Sequence, residues 1–284
     1  MMDLRETSRA FVDALLPVRD REAHKGMFGR VLLLCGSIGY TGAAALAAKA
    51  ALRTGSGLIF LGVPESIYPI LAAKLDEPMV FPLTDDGYGR LSAKGAAEIL
   101  WRLKDCDACL IGPGLGRSGD ILKIVEAVLA QYSGPVLLDA DGLNAVAGHI
   151  DVLRGSGCPL VLTPHEGEFT RLGGDLALGR RAAAERLAAE AEAIVLLKGH
   201  RTIITDGIST YVNQTGNPGM ATGGSGDVLS GILVSLLGQG IAPLDAAAAA
   251  AWIHGAAGDL CAKELGEYGM TPGDMIQSIP RLLK

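Results

Sequence analysis

The chain reads as an α/β protein built on a mainly parallel central sheet flanked by helices. Three observations predict this. Short apolar runs of strand length alternate with longer helical patterns almost from end to end. The strand runs are apolar except at end positions such as Arg30, Asp139 and Thr163, so they are buried on both faces and need helices above and below them. Polar or glycine-rich segments follow one strand candidate after another, at the carboxyl ends where open α/β sheets bind ligands.

The elements follow in order. Arg30–Gly36 is a buried strand and Gly42–Thr54 an alanine-rich helix. Leu58–Val63, Ala108–Ile111, Val136–Asp139, Leu160–Thr163 and Ile194–Leu197 are further strands, with helices near Ser92–Leu103, Asp120–Gln131 and Gly179–Ala191. Thr202–Thr205 and Ser209–Val212 flank a turn containing Asp206-Gly207, a hairpin signal that adds an antiparallel element. The last third is helical over Asp227–Leu237, Pro243–Cys261 and Pro272–Leu283. No linker, low-complexity tract or repeat interrupts residues 1–284, which predicts a single domain.

Composition narrows the function. Of 284 residues 49% are hydrophobic and 20% charged, enough to bury a sizeable core. A net charge of −6 argues against a nucleic-acid or anionic-membrane surface. A polyanionic ligand must therefore be held by local dipoles and a few basic residues. The five cysteines, scattered and odd in number, read as free buried thiols. Cys106 and Cys109 have C-x-x-C spacing, but no second pair completes a zinc site. The N-terminus lacks the apolar core of a signal peptide, and neither Val228–Leu244 nor Ala246–Gly258 makes a membrane span. A cytoplasmic protein is the expectation.

The most informative stretch is Gly216-Asn217-Pro218-Gly219-Met220-Ala221-Thr222-Gly223-Gly224-Ser225-Gly226-Asp227, leading into an apolar helix. A glycine-rich loop entering a helix leaves backbone N–H groups unpaired at the positive end of the helix dipole. Gly224, Ser225 and Gly226 are the expected anion hole, with phosphate the usual anion. The charge of Asp227 opposes a phosphate, so it suits a base that deprotonates a hydroxyl attacking a phosphoryl group. A plain helix cap is the alternative.

Other loops carry alternatives of the same kind. Gly114-x-Gly116-x-x-Gly119, with Asp139 twenty residues on from Gly119, matches the spacing of a dinucleotide fingerprint. Against that reading stand Pro113, the mid-chain position and the stronger phosphate loop elsewhere; no Walker A pattern occurs. Lys198, before Gly199 at a strand end, is either a cation for ligand phosphates or a solvated turn lysine. His165 either touches a substrate or is a satisfied loop histidine. Asp139 and Asp141 either cap helices or help hold magnesium. His254 reads as a core residue. No metal ligand can be assigned.

These motifs together resemble the ADP/ATP-dependent NAD(P)H-hydrate dehydratase family of the ribokinase-like superfamily. The resemblance runs from His24-Lys25-Gly26-Met27-Phe28-Gly29-Arg30 through Gly42-Ala43-Ala44, Gly112-Pro113-Gly114-Leu115-Gly116 and Leu138-Asp139-Ala140-Asp141. It continues through Thr163-Pro164-His165-Glu166-Gly167-Glu168 and Lys198-Gly199-x-x-Thr202 to the phosphate loop. It implies a ribokinase-like three-layer sandwich and repair of hydrated NADH and NADPH. Ala43, Gly116, His165 and Asp227 would contact the hydrated dinucleotide. Lys198, Gly199, His200, Arg201, Thr202 and Gly226 would hold the adenine nucleotide. It implies ADP as phosphoryl donor with ATP the alternative, magnesium, and a homotetramer. Many members carry an epimerase domain ahead of this part; here epimerisation is expected from a separate protein. The rivals are a ribokinase-like kinase for a vitamin precursor, a nicotinamide oxidoreductase using Gly114–Gly119, and a non-catalytic nucleotide sensor.

Overall fold

The computed structural model describes residues 4–283. In chain order the elements are β1 (Leu4–Glu6), α1 (Arg9–Leu15), β2 (Arg30–Leu34), α2 (Thr41–Thr54), β3 (Leu58–Pro64), α3 (Tyr68–Ala72) and β4 (Met79–Leu83). Then come α4 (Ala96–Leu103), β5 (Ala108–Ile111), α5 (Gly119–Gln131), β6 (Val136–Leu138), α6 (Asp141–Val146), β7 (Leu160–Leu162), α7 (Glu166–Arg171) and α8 (Arg180–Ala191). The remainder is β8 (Ile194–Leu197), β9 (Ile203–Thr205), β10 (Thr210–Val212), α9 (Ser225–Gly238), α10 (Pro243–Leu265) and α11 (Pro272–Ser278).

The described strands form one sheet in the order β1-β10-β9-β8-β7-β6-β5-β2-β3-β4. Only β9 among them runs against its neighbours, as the Asp206-Gly207 hairpin predicts. Successive side chains of a strand leave opposite faces, and the two cores divide accordingly. Val31 and Leu33 face α2, α9 and α10, whereas Leu32 and Leu34 face α4, α5 and α8. Leu110, Leu137, Val161 and Leu196 repeat the first choice; Ile111, Leu138, Leu162 and Leu197 repeat the second. The three layers are therefore helices, sheet, helices.

On the first face small residues set the packing distance. Gly231 of α9 lies against Ala47 and Ala50 of α2, and a Cβ there would collide with Ala47 O and sit 2.7 Å from Ala50 Cβ. Gly231→Ala is expected to destabilise by about 1–3 kcal/mol despite alanine's better helix propensity, because the obstacle is backbone. Calorimetry would register this as a melting temperature several degrees lower.

The chain winds outward from β2 to β4 on one side and from β5 to β8 on the other. The strand order thus reverses between β2 and β5, and the carboxyl ends of these two strands open the crevice where such folds take ligands.

Candidate active site

Two loops interlock at this crevice. Gly36 N–H donates to Pro113 O at 2.8 Å and Ser37 Oγ to Gly114 O at 2.7 Å. Gly112 has φ 151°, and a Cβ there would collide with Asp139 O. A Cβ on Gly114 (φ 68°) would sit 2.9 Å from Tyr40 Cβ and 3.0 Å from Ala43 Cβ. Gly114, the first glycine of the apparent dinucleotide fingerprint, therefore lets loops cross closely, whereas Gly119 has open space around it. A cavity of about 570 Å³ opens here, lined by Tyr40, Tyr88, Arg90, Gly116, Arg117 and Asp141 among others. A larger one, about 810 Å³, lies at the opposite end of the sheet around Gly29, Asp107 and Pro135, and none of the expected site residues lines it.

The phosphate loop enters α9 with Gly224 in the left-handed region (φ 97°) and no side-chain cap. The N–H groups of Gly224, Gly226 and Asp227 have no acceptor among the described residues. Ser225 differs from expectation: its N–H turns back to Thr222 O at 3.3 Å. Its carbonyl accepts from His254 Nε2 at 2.9 Å, so His254 braces the loop from α10 as the Nε2–H tautomer. Burial lowers the His254 pKa to about 4; the Ser225 contact opposes this and the Lys198 charge adds to it.

Asp227 is half-buried in the first turn of α9, and its carboxylate accepts no hydrogen bond from a described residue. It is not a side-chain cap. Burial, then the charge of Asp139, pushes its pKa up to about 7, while Lys198 pulls the other way. A carboxylate that titrates near neutrality beside unpaired N–H donors matches a general base next to a phosphoryl site.

Lys198 is no solvated turn lysine. Its Nζ lies 2.9 Å from Asp139 Oδ1 and 3.6 Å from Glu168 Oε2, and 3.7 Å from where a Cβ on Gly226 would be. Burial lowers its pKa, but the two carboxylates outweigh that and hold it above the ordinary lysine value. Asp139 also accepts from the fully buried Ser230 Oγ at 2.7 Å. It is thus committed to the α9 side and cannot bind a ribose, which removes the acid of the dinucleotide fingerprint. Ser230 belongs to no motif; its only signal was a hydroxyl within an otherwise apolar helix.

His165 is a satisfied loop histidine that caps α7. Its Nδ1 accepts from Gly167 N–H at 3.0 Å and Glu168 N–H at 3.3 Å, a reciprocal cap on α7 completed by Glu168 Oε2 on His165 N–H. Its side chain remains 55% exposed, with Nε2 3.4 Å from Glu168 Oε1. Asp141 accepts from Gly116 N–H at 2.8 Å and from Asn144 Nδ2 at 3.3 Å, and Arg171 of α7 binds Asn144 Oδ1 at 3.0 Å. Those contacts tie the cavity at Gly116 to the helix that His165 caps. Gly199 to Thr202 form the turn after β8, away from the Gly116 cavity lining.

Three of the site's carboxylates already have partners. Asp139 and Glu168 are engaged by Lys198 and Asp141 by backbone and amide donors, and among the described residues no cluster of three or more His, Cys, Asp or Glu could hold a metal. All five cysteines are free and buried, and burial first, then nearby carboxylates, push the Cys106 thiol up to about 12, far from redox use. No described helix is long and apolar enough to cross a membrane.

Residues 31–281 match the family model described as NAD(P)H-hydrate dehydratase. The chain belongs to that family. The bifunctional NAD(P)H-hydrate repair enzyme of Moorella thermoacetica is 46% identical over 281 residues, covering 97% of this chain and 53% of that protein. The chain thus spans about half the length of several of the relatives it matches. The ADP-dependent (S)-NAD(P)H-hydrate dehydratase of Neisseria meningitidis is 37% identical across 90% of this chain and 86% of its own. Among solved structures, the ADP/ATP-dependent NAD(P)H-hydrate dehydratase of Bacillus subtilis, co-crystallised with ATP and Mg2+, superposes with a TM-score of 0.84. It is 31% identical, over 99% of this chain and 98% of that one. The dehydratase family thus accounts for the ribokinase-like three-layer architecture and for the clustering of motifs at the strand ends.

Proposed function

We propose that the chain is an ADP-dependent (S)-NAD(P)H-hydrate dehydratase, acting through phosphorylation of the ring hydroxyl and elimination of phosphate. The observation that carries this reading is Asp227, an unpaired carboxylate with a pKa near 7 beside the open N–H groups of Gly224 and Gly226.

Hydroxide is a poor leaving group and phosphate a good one. Asp227 takes the proton of the ring hydroxyl as its oxygen attacks the terminal phosphorus of ADP. Gly224 and Gly226 N–H groups and the helix dipole hold the transferring phosphoryl, with Lys198 contributing positive charge beneath them. The ring nitrogen lone pair then expels phosphate, and loss of a proton from the neighbouring carbon restores the ring double bond. The sum is ADP plus hydrate giving AMP, phosphate and reduced nicotinamide. Ala43, Gly116 and His165 would border the dinucleotide; Lys198 to Thr202 and Gly226 would hold the adenine nucleotide. Magnesium, carried by the nucleotide's own phosphates, would supply counter-charge to the transferring phosphoryl group. The reading further includes one domain over 1–284, a homotetramer, a cytoplasmic setting, and an epimerase activity that supplies the accepted epimer.

The mass balance distinguishes this from a kinase of the same fold. Equimolar AMP, free phosphate and reduced nicotinamide from hydrated NADH and ADP is the expected outcome. Accumulation of a stable phosphorylated alcohol with no free phosphate would favour the vitamin-precursor kinase instead.

A further inference from the structure

Arg180, the first residue of α8, lies outside every motif read from the sequence. Its guanidinium reaches the turn after β8 and donates to three backbone carbonyls there. Nη1 binds His200 O at 2.6 Å; Nη2 binds Lys198 O at 2.9 Å and Leu197 O at 3.3 Å. Two further carbonyls of the turn are also engaged: Gly199 O by Thr202 Oγ1 and Thr202 O by Asn213 N–H, both at 2.9 Å.

Three donors of the same turn are left open. The N–H groups of Gly199, His200 and Arg201 have no acceptor among the described residues, while Thr202 N–H faces Gly199 O across the turn. Gly199 (φ 146°) and Arg201 (φ 56°) both take positive φ, a backbone path that L side chains rarely adopt. Gly199 and Arg180 are matched in shape, because a Cβ on Gly199 would run into the guanidinium. Arg180 Nε is 3.3 Å from Glu166 Oε1, a charge contact with no aligned hydrogen bond, so the fork is anchored on the far side as well.

We propose that Arg180 is a positioning residue for nucleotide capture: by drawing three carbonyls of residues 197–200 to itself, it leaves three consecutive N–H groups of the turn to the acceptor atoms of the adenine nucleotide. This rests on ADP being the phosphoryl donor. Carbonyls turned toward the ligand would repel its anionic groups, and a flexible turn would present the donors in no fixed array. A lysine cannot replace Arg180, since an ammonium lacks the planar fork that spans several acceptors.

The test is ADP binding by titration calorimetry, without dinucleotide, on the wild-type chain, Arg180→Lys and Arg180→Met, alongside melting temperatures and the KM for hydrated NADH. Arg180→Lys keeps a cation near Glu166 and guards against simple loss of folding. The expected result is an ADP Kd raised about 10- to 100-fold in both variants, the size of losing charged hydrogen bonds. The KM for the hydrate stays within about threefold, and Arg180→Lys melts close to wild type. An Arg180→Lys variant that binds ADP as wild type overturns the inference. So does a parallel fall in ADP binding, hydrate binding and melting temperature, which marks a purely structural staple. If the wild-type chain takes up no ADP, the donor assignment itself fails and the inference falls with it.

Discussion

Replacing Asp227 by Asn is expected to lower kcat by about two to four orders of magnitude, the usual share of a positioned base, while leaving the fold intact. No described residue holds this carboxylate by a hydrogen bond, so the amide breaks no described contact. The same substitution should stabilise the protein at alkaline pH. Burial and the Asp139 charge raise the folded-state pKa of Asp227 to about 7, against about 4 in an unfolded chain. Folding therefore favours the protonated form. The group's favourable contribution is fully present below about pH 4 and is lost as pH rises through 7, where burying the charge costs most. At roughly 1.4 kcal/mol per unit the ceiling is about 4 kcal/mol, and partial exposure brings the expectation to about 1–3 kcal/mol. Asp227→Asn should thus melt several degrees above wild type at pH 8 and level with it near pH 4. Wild-type kcat/KM should rise with pH through about 7, because the base works deprotonated, and this limb should vanish in the variant. A variant with near-normal turnover would remove Asp227 from its role.

Lys198→Met is the second large effect. The cation bridges Asp139 and Glu168, whose side chains are only 2% and 6% exposed. Removing it leaves two buried carboxylates with no counter-charge, at an expected cost of about 3–5 kcal/mol. It also removes the charge that pulls Asp227 down, so the acidic limb of the pH profile should move to higher pH. Adding Asp139→Asn to Lys198→Met should recover part of the stability and bring the limb back down, because Asp139 raises Asp227. A double variant whose stability and pH limb equal the sum of the single changes would contradict the coupling. Urea denaturation and a pH–rate profile on the same samples measure both.

The sheet was legible wherever the strand was buried on both faces. Apart from Arg30 at the start of the first, the runs from Arg30–Leu34 to Ile194–Leu197 are apolar through every residue, which leaves little else for them to be. Strands β1 and β4 were not legible for the opposite reason. All three residues of Leu4–Glu6 are exposed, and pairing with β10 alone makes them a strand. Met79–Leu83 contains Pro82, which only an edge strand tolerates. The short helices α6 and α7 were hidden because their residues had already been read as motif.

The site was legible where chemistry demands an unusual local pattern, as in Gly223–Asp227 and His165–Glu168. It was not legible where a residue acts through a long-range contact. Ser230 and Arg180 have nothing in their neighbours to set them apart, and only the fold brings them to Asp139 and to the 198–202 turn. The Gly114–Gly119 spacing shows the converse limit. A glycine needed for loops to cross, as at Gly114, reads the same as one needed to approach a pyrophosphate, and only the engaged carboxylate of Asp139 separates the two.

The most direct test of the central claim is the near-ultraviolet absorbance of reduced nicotinamide when the purified chain meets chemically hydrated NADH with ADP, with ATP or with neither. Recovery that requires ADP, with one phosphate released per ring restored, is the predicted result. No recovery with either nucleotide would contradict the proposed dehydratase.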